Sequence, residues 1–139
     1  MFLLDTNVVS ALRRADRADP CLLAWATATP APATYLSAIS LLEIEMGVLL
    51  VERRDPAQGK VLRTWLEDQV SLQFEGRILP IDAAVARRCA TLHMPDRRSE
   101  RDALIAATAL VHGMTVVTRN TADFEPTGVA LLNPWLWEG

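Results

Sequence analysis

Short apolar runs alternate along the whole chain with longer segments of helical periodicity, and no other feature restricts the possible folds as strongly. The runs at residues 1–5, 34–38, 77–81, 116–117 and 129–132 are too brief for helices and rich in Val, Ile and Leu. They read as buried strands. The intervening segments carry helix signals. One helix starts at Thr6 or Asn7 and runs to about residue 14. Asp19-Pro20 opens a second, with proline suited to a first turn. Thr29-Pro30-Ala31-Pro32 is a loop, because no helix survives two such prolines. Ser40 opens a third helix to about residue 53, with Leu41, Ile44, Val48 and Val51 at helical spacing. Asp55-Pro56 breaks it before a fourth to about residue 74. A further helix spans about 83–92, residues 94–100 form a polar loop, and Ser99 caps the last long helix. Residues 103–111 of that helix are apolar except for Thr108, so it packs inside the core. Gly113 ends it in the left-handed conformation. Strands alternating with helices predict an α/β fold, a central, mostly parallel sheet flanked by helices on both faces. The 139 residues fit one domain spanning 1–139.

Four carboxylates sit where these elements begin or end. Asp5 closes the first strand, Glu43 lies early in the third helix, Asp102 heads the most apolar helix, and Asp123 follows the strand at 116–117. In parallel α/β folds, sites form at the carboxyl ends of strands, so these acids can converge. Convergence is tolerable only with protons or bound cations. Each acid also suits a helix terminus. Asp5 can act as an N-cap, while Asp102 and Glu43 stand three residues past Ser99 and Ser40, as capping-box acids do. Spacing alone leaves both readings open. Two points favour convergence. A charge before so apolar a helix is costly without a partner, and Glu43 shares a stripe with Gly47, whose bare Cα permits close approach. Glu45, two residues on, faces elsewhere and reads as solvated.

Fourteen basic and 17 acidic residues give a net charge of −3, so whole-protein charge does not attract nucleic acid. Any such binding needs a local basic patch or bound cations. Arg97, Arg98, Arg101 and Arg119 flank the acids and could seat phosphates, or could belong to a solvated loop. Arg13 and Arg14 read as decoration on an exposed helix, and Trp135 and Trp137 as packing anchors. Cys21, Cys89, His93 and His112 lack metal-ligand spacing, which argues against zinc. The cysteines read as small buried residues in a reducing cytosol. Asp5 interrupts the N-terminal apolar run with no basic residue before it, unlike a signal peptide. The uncharged stretch 103–118 carries Thr108, His112 and Gly113 and falls short of a membrane span.

Four blocks carry a family resemblance: Leu3-Leu4-Asp5-Thr6-Asn7-Val8-Val9-Ser10, Ile39-Ser40-Leu41-Leu42-Glu43-Ile44-Glu45-Met46-Gly47, Asp102-Ala103-Leu104-Ile105-Ala106-Ala107-Thr108-Ala109, and Val117-Thr118-Arg119-Asn120-Thr121-Ala122-Asp123-Phe124. In this order, nearly end to end, they resemble the PIN-domain ribonucleases, and the short form resembles the VapC/FitB toxins of type II toxin–antitoxin modules. The resemblance implies a PIN-like α/β/α fold and an endoribonuclease using Mg2+ or Mn2+. It implies that Asp5 and Asp102 are the principal ligands, with Glu43 and Asp123 acting directly or through water. Thr6, Asn7, Thr118 and Asn120 match polar positions that shape the pocket, with Arg119 beside them. It further implies a single-stranded or looped RNA substrate, a homodimer, a cognate VapB-like antitoxin through which DNA is met indirectly, and a cytoplasmic setting. A non-toxin PIN nuclease, or an inactive metal- or partner-binding domain, shares these blocks. A haloacid-dehalogenase-type phosphatase would want a second Asp where Asn7 stands, and the sole lysine, Lys60, is poorly placed for a receiver domain.

Overall fold

The first apolar run folds as the central strand of a five-stranded sheet in the computed structural model, which describes residues 1–139. The strands are β1 (Phe2–Leu4), β2 (Thr34–Ser37), β3 (Ile78–Leu79), β4 (Thr115–Val117) and β5 (Leu131–Leu132), ordered β3-β2-β1-β4-β5. Every pairing is parallel, with Leu3 opposite Tyr35 on one side and Val116 on the other. The chain lays β2 and β3 to one side of β1 and then returns to lay β4 and β5 on the other. The topology therefore reverses between β1 and β4, and a crevice opens there at the carboxyl ends of the strands.

Alternation along the strands divides the core. Leu4, Leu36 and Val117 face a cluster with Val8 and Val9 of α1 (Thr6–Leu12), Leu22 and Trp25 of α2 (Pro20–Ala28), and Ile44 and Val48 of α3 (Ala38–Arg54). Leu3 and Val116 face the opposite layer, with Ile105, Ala106 and Ala109 of α7 (Glu100–His112) and Phe124 of α8 (Thr121–Phe124). A third cluster joins Val85 and Cys89 of α6 (Ala83–Leu92) to Ala103 and Ala107 of α7. The expected three layers follow from side chains that point alternately up and down each strand. Gly113 adopts φ 67° and ends α7 as expected. No helix is long and apolar enough to cross a membrane.

Several sequence expectations are corrected. The third helix opens at Ala38, not Ser40, because the Ser37 hydroxyl caps it by accepting from the Ile39 amide at 3.1 Å. Ser40 is then inside the helix, buried, with its hydroxyl unpartnered. The fourth helix is not regular. It runs as α4 (Pro56–Trp65), widens into a π turn at Leu66–Val70, and closes with α5 (Ser71–Gln73). Gly47 makes no close approach, since a Cβ there would meet nothing within 4 Å. Gly59 takes that role where α4 crosses α3, because its Cβ would lie 2.5 Å from the Glu52 Cα. Cys89 is buried, whereas Cys21 is only half-buried; both are free thiols.

Candidate active site

Asp5 follows β1 with extended backbone (φ −70°, ψ 157°) and caps α1, its Oδ1 accepting from the Thr6 amide at 2.8 Å. Capping and site-building are thus not alternatives here, because the two oxygens divide the work. Oδ2 faces the crevice and accepts from the Thr118 hydroxyl at 2.7 Å and from Asn7 Nδ2 at 3.2 Å. Thr118, just past β4, accepts in turn from the Asn120 amide at 3.0 Å, and Asn7 Oδ1 accepts from the Arg119 amide at 3.3 Å. These bonds lace the segments after β1 and β4 together across the topological switch. Asp5 is only 7% exposed, and burial pushes its carboxyl up. The bonds from Thr118 and Thr6 pull it back, and the charge of Asp123 adds to the rise.

Asp102 enters from above because α7 precedes β4 and runs antiparallel to it, which sets its N-terminus at the strands' carboxyl ends. The capping-box reading fails there, since Ser99 occupies the N-cap position without a side-chain bond. Burial raises the Asp102 carboxyl, followed by the charges of Asp5, Asp123 and Glu43, and no hydrogen bond offsets them. Glu43 is not a capping acid either. With α3 starting at Ala38, it lies in the second turn, where Oε1 accepts from the Thr6 hydroxyl at 3.0 Å. Its Oε2 lies 3.8 Å from the Arg101 guanidinium. Asp123 is exposed in α8, its amide bonded to the Asn120 carbonyl at 3.1 Å. Asp102 therefore feels the charges of the other three acids, and Asp5 that of Asp123, at one end of the sheet.

The donor set is all oxygen, which suits a hard cation. No three of these side chains close tightly enough to cage an ion unaided. That spacing fits Mg2+ or Mn2+ held through one or two carboxylates and several waters, as hard small cations are commonly bound. Burial and mutual repulsion both favour a compensating positive charge.

The flanking residues divide. Arg98 secures the loop before α7, donating to the Leu92 carbonyl at 2.7 Å while its amide donates to His93 Nδ1 at 3.1 Å. Arg97 is exposed. Arg119 is exposed and rests its guanidinium 5.2 Å over the Trp135 ring, so Trp135, packed on the core, also supports the site's rim. Glu45 is not simply solvated, as it pairs with Arg63 at 2.7 Å. Arg13, expected on an exposed helix face, is instead half-buried in a groove that begins at Glu43. Its position at the end of α1, one turn past Ser10, was the only sequence signal.

The PIN domain model matches residues 2–128. The chain belongs to the PIN-domain family. Its relatives include a VapC ribonuclease (Y4jK) of Sinorhizobium fredii, 38% identical over 97% of this PIN domain and 98% of the relative. The toxin FitB of Neisseria gonorrhoeae is likewise 38% identical, covering 97% and 99% of the two chains. Among solved structures, FitAB bound to an IR36 DNA fragment superposes with a TM-score of 0.89 at 37% identity, covering 100% of this chain and 99% of that one. The all-parallel sheet flanked by helices is thus the PIN-like fold that the four sequence blocks implied.

Proposed function

We propose that this PIN domain, one unit over residues 1–139, is a Mg2+- or Mn2+-dependent endoribonuclease and the toxin of a type II toxin–antitoxin pair. The observation that carries the reading is Asp102, a part-buried carboxylate that bears the charge of three others and receives no hydrogen bond. Such a group is relieved by a proton or a cation, and an all-oxygen set of acids suits the cation. Asp5 and Asp102 would hold it, with Asp5 kept in its rotamer by Thr6, Asn7 and Thr118. The chemistry such a cation would supply when bound is relief of charge on the phosphoryl oxygens and a more acidic attacking water. Glu43, steadied by the Thr6 hydroxyl, orients the attacking water. Asp123 would hold a further water or ion beside the substrate, with Asn120 shaping its turn. Water attacks phosphorus in line with the P–O3′ bond, leaving a 5′-phosphate and a 3′-hydroxyl. Arg119 lies at the rim, positioned for a flanking phosphate.

The likeness to a toxin and to the FitAB complex on DNA supports a cognate VapB-like antitoxin, through which DNA is engaged indirectly, in the cytoplasm. A basic antitoxin side chain entering among the carboxylates would replace the cation and block the site. Homodimerisation is supported by the stripe Leu42, Met46, Leu49 and Leu50 that α3 leaves exposed.

Cleavage of end-labelled single-stranded RNA in Mg2+, with Mn2+ binding by calorimetry, tests the assignment. Asp5→Asn and Asp102→Asn should each cut roughly a thousandfold more slowly, the several kcal/mol that a metal site contributes. Both should lose Mn2+ affinity while keeping the wild-type circular dichroism. Undiminished cleavage by both variants refutes it.

A further inference from the structure

Beyond the acids, the groove that starts at Glu43 continues between α1, α3 and α4. Its first section, about 220 Å3, is lined by Thr6, Ser10, Arg13, Glu43 and Trp65 among others. Arg13 and Trp65 line the next section too, about 460 Å3, which opens to solvent beside Lys60 and Gln69. No carboxylate pairs with Arg13 or Lys60, the two basic residues on these walls. Glu43 is the one acidic group on the walls, and it stands at the end belonging to the metal site. Trp65 is half-buried against the core, so its indole is anchored rather than free to collapse.

We infer that this groove seats the single-stranded RNA as it leaves the acidic site, Arg13 binding a backbone phosphate and the Trp65 indole stacking a base. The inference rests on the nuclease reading and names where that substrate runs. A guanidinium without an acidic partner matches phosphate through paired N–H donors. An anchored aromatic face beside it matches an unstacked base, the usual way single strands are held. Lys60 sits where the next phosphate would emerge. From the Glu43 end to the Lys60 end the lining therefore changes from one carboxylate to cations, which need an anion. An acidic peptide would satisfy the charges but would leave the indole without a stacking partner.

The test is equilibrium binding of a fluorescent ten-nucleotide single-stranded RNA to the full chain in EDTA, where no cleavage occurs, across a salt series. Arg13→Gln keeps the aliphatic stem and should weaken binding about tenfold. It should also flatten the dependence of log K on log salt by about 0.7, the value for one phosphate contact on a single strand. Arg13→Lys should recover part of the affinity, and Arg87→Ala, on the exposed face of α6, should change nothing. Wild-type affinity and salt slope in Arg13→Gln overturn the inference. So does displacement of the RNA by a decaglutamate peptide at equal concentration, which would assign the groove to an acidic polypeptide. RNA held through Arg13 but left uncut in Mg2+ would sustain this inference while refuting the nuclease reading. RNA cut normally by Arg13→Gln with unaltered binding would do the reverse.

Discussion

Two clusters of acidic side chains on this molecule respond to their surroundings in opposite ways. Along the α3–α4 seam, Glu45, Glu52 and Glu67 gather around Arg63 at 2.7, 2.9 and 3.4 Å. The guanidinium holds the Glu52 carboxyl below the ordinary glutamate range, and the carboxylates push the arginine further up. At the end of the sheet, Asp5 and Asp102 are raised instead, by burial first and by neighbouring acids after it. Both sets are carboxylates; what differs is that the seam holds its guanidinium in direct contact, whereas at the sheet end Arg101 reaches only Glu43, at 3.8 Å, and leaves Asp5 and Asp102 without a counter-charge. A cluster complete in itself serves stability, and one that lacks its counter-charge is shaped for something it must bind.

The largest effect on stability should come from the seam itself. Gly59→Ala places a Cβ 2.5 Å from the Glu52 Cα, so α4 must retreat from α3. A loss of about 1–3 kcal/mol in urea unfolding is expected, as for other overpacked contacts. Gly47→Ala, with open space around it, should be neutral or gain up to about 1 kcal/mol from helix propensity. Equal losses at both glycines would mean that α4 and α3 are not closely packed at Gly59.

Arg63→Ala should come next, lowering Tm by a few degrees at pH 7, less in high salt because its partners face solvent. Glu52 has a lowered folded-state pKa. Its pairing therefore contributes fully above the ordinary value of 4.5 and is lost as pH falls through the folded value. Thermal melts of wild type and variant should converge in acid, while RNA cleavage stays intact.

The smallest effect has the opposite sign. In EDTA at pH 7, Asp102→Asn should raise Tm by a degree or two, since it removes a charge the fold disfavours. The Asp102 pKa is raised on folding, so the penalty is absent below the ordinary value of 3.8 and develops as pH rises through the folded value. The gain should vanish in acid, and saturating Mn2+ should reverse the order by stabilising only the wild type. A variant less stable than wild type in EDTA would erase the contrast between the two clusters.

Much of this arrangement was legible in the sequence. Asp5, Asp102 and Asp123 stand at element ends, and once the strands read as parallel those ends could meet. Glu43 was legible as an acid but not in its geometry, because Ser37 and Ser40 are equally good caps and only packing selects the earlier one. The close approach was assigned to Gly47 instead of Gly59 for a similar reason. A glycine on a helix does not reveal which neighbour crosses it. Arg63 as the hub of three carboxylates was invisible, since its partners are up to 18 residues away and belong to two helices. Arg13 failed differently. Its exposure was inferred from charge, while its place is set by the wall that Trp65 provides.

The lacing of Asp5 by Thr6, Asn7 and Thr118 has a thermodynamic corollary. Because folding already fixes this carboxylate, an ion bound as proposed would find one ligand standing still and need only recruit the looser acids around it. Ion affinity should then carry little ordering entropy from Asp5, and loss of the Thr118 hydroxyl would surface as a slower, entropically dearer capture rather than as a missing ligand.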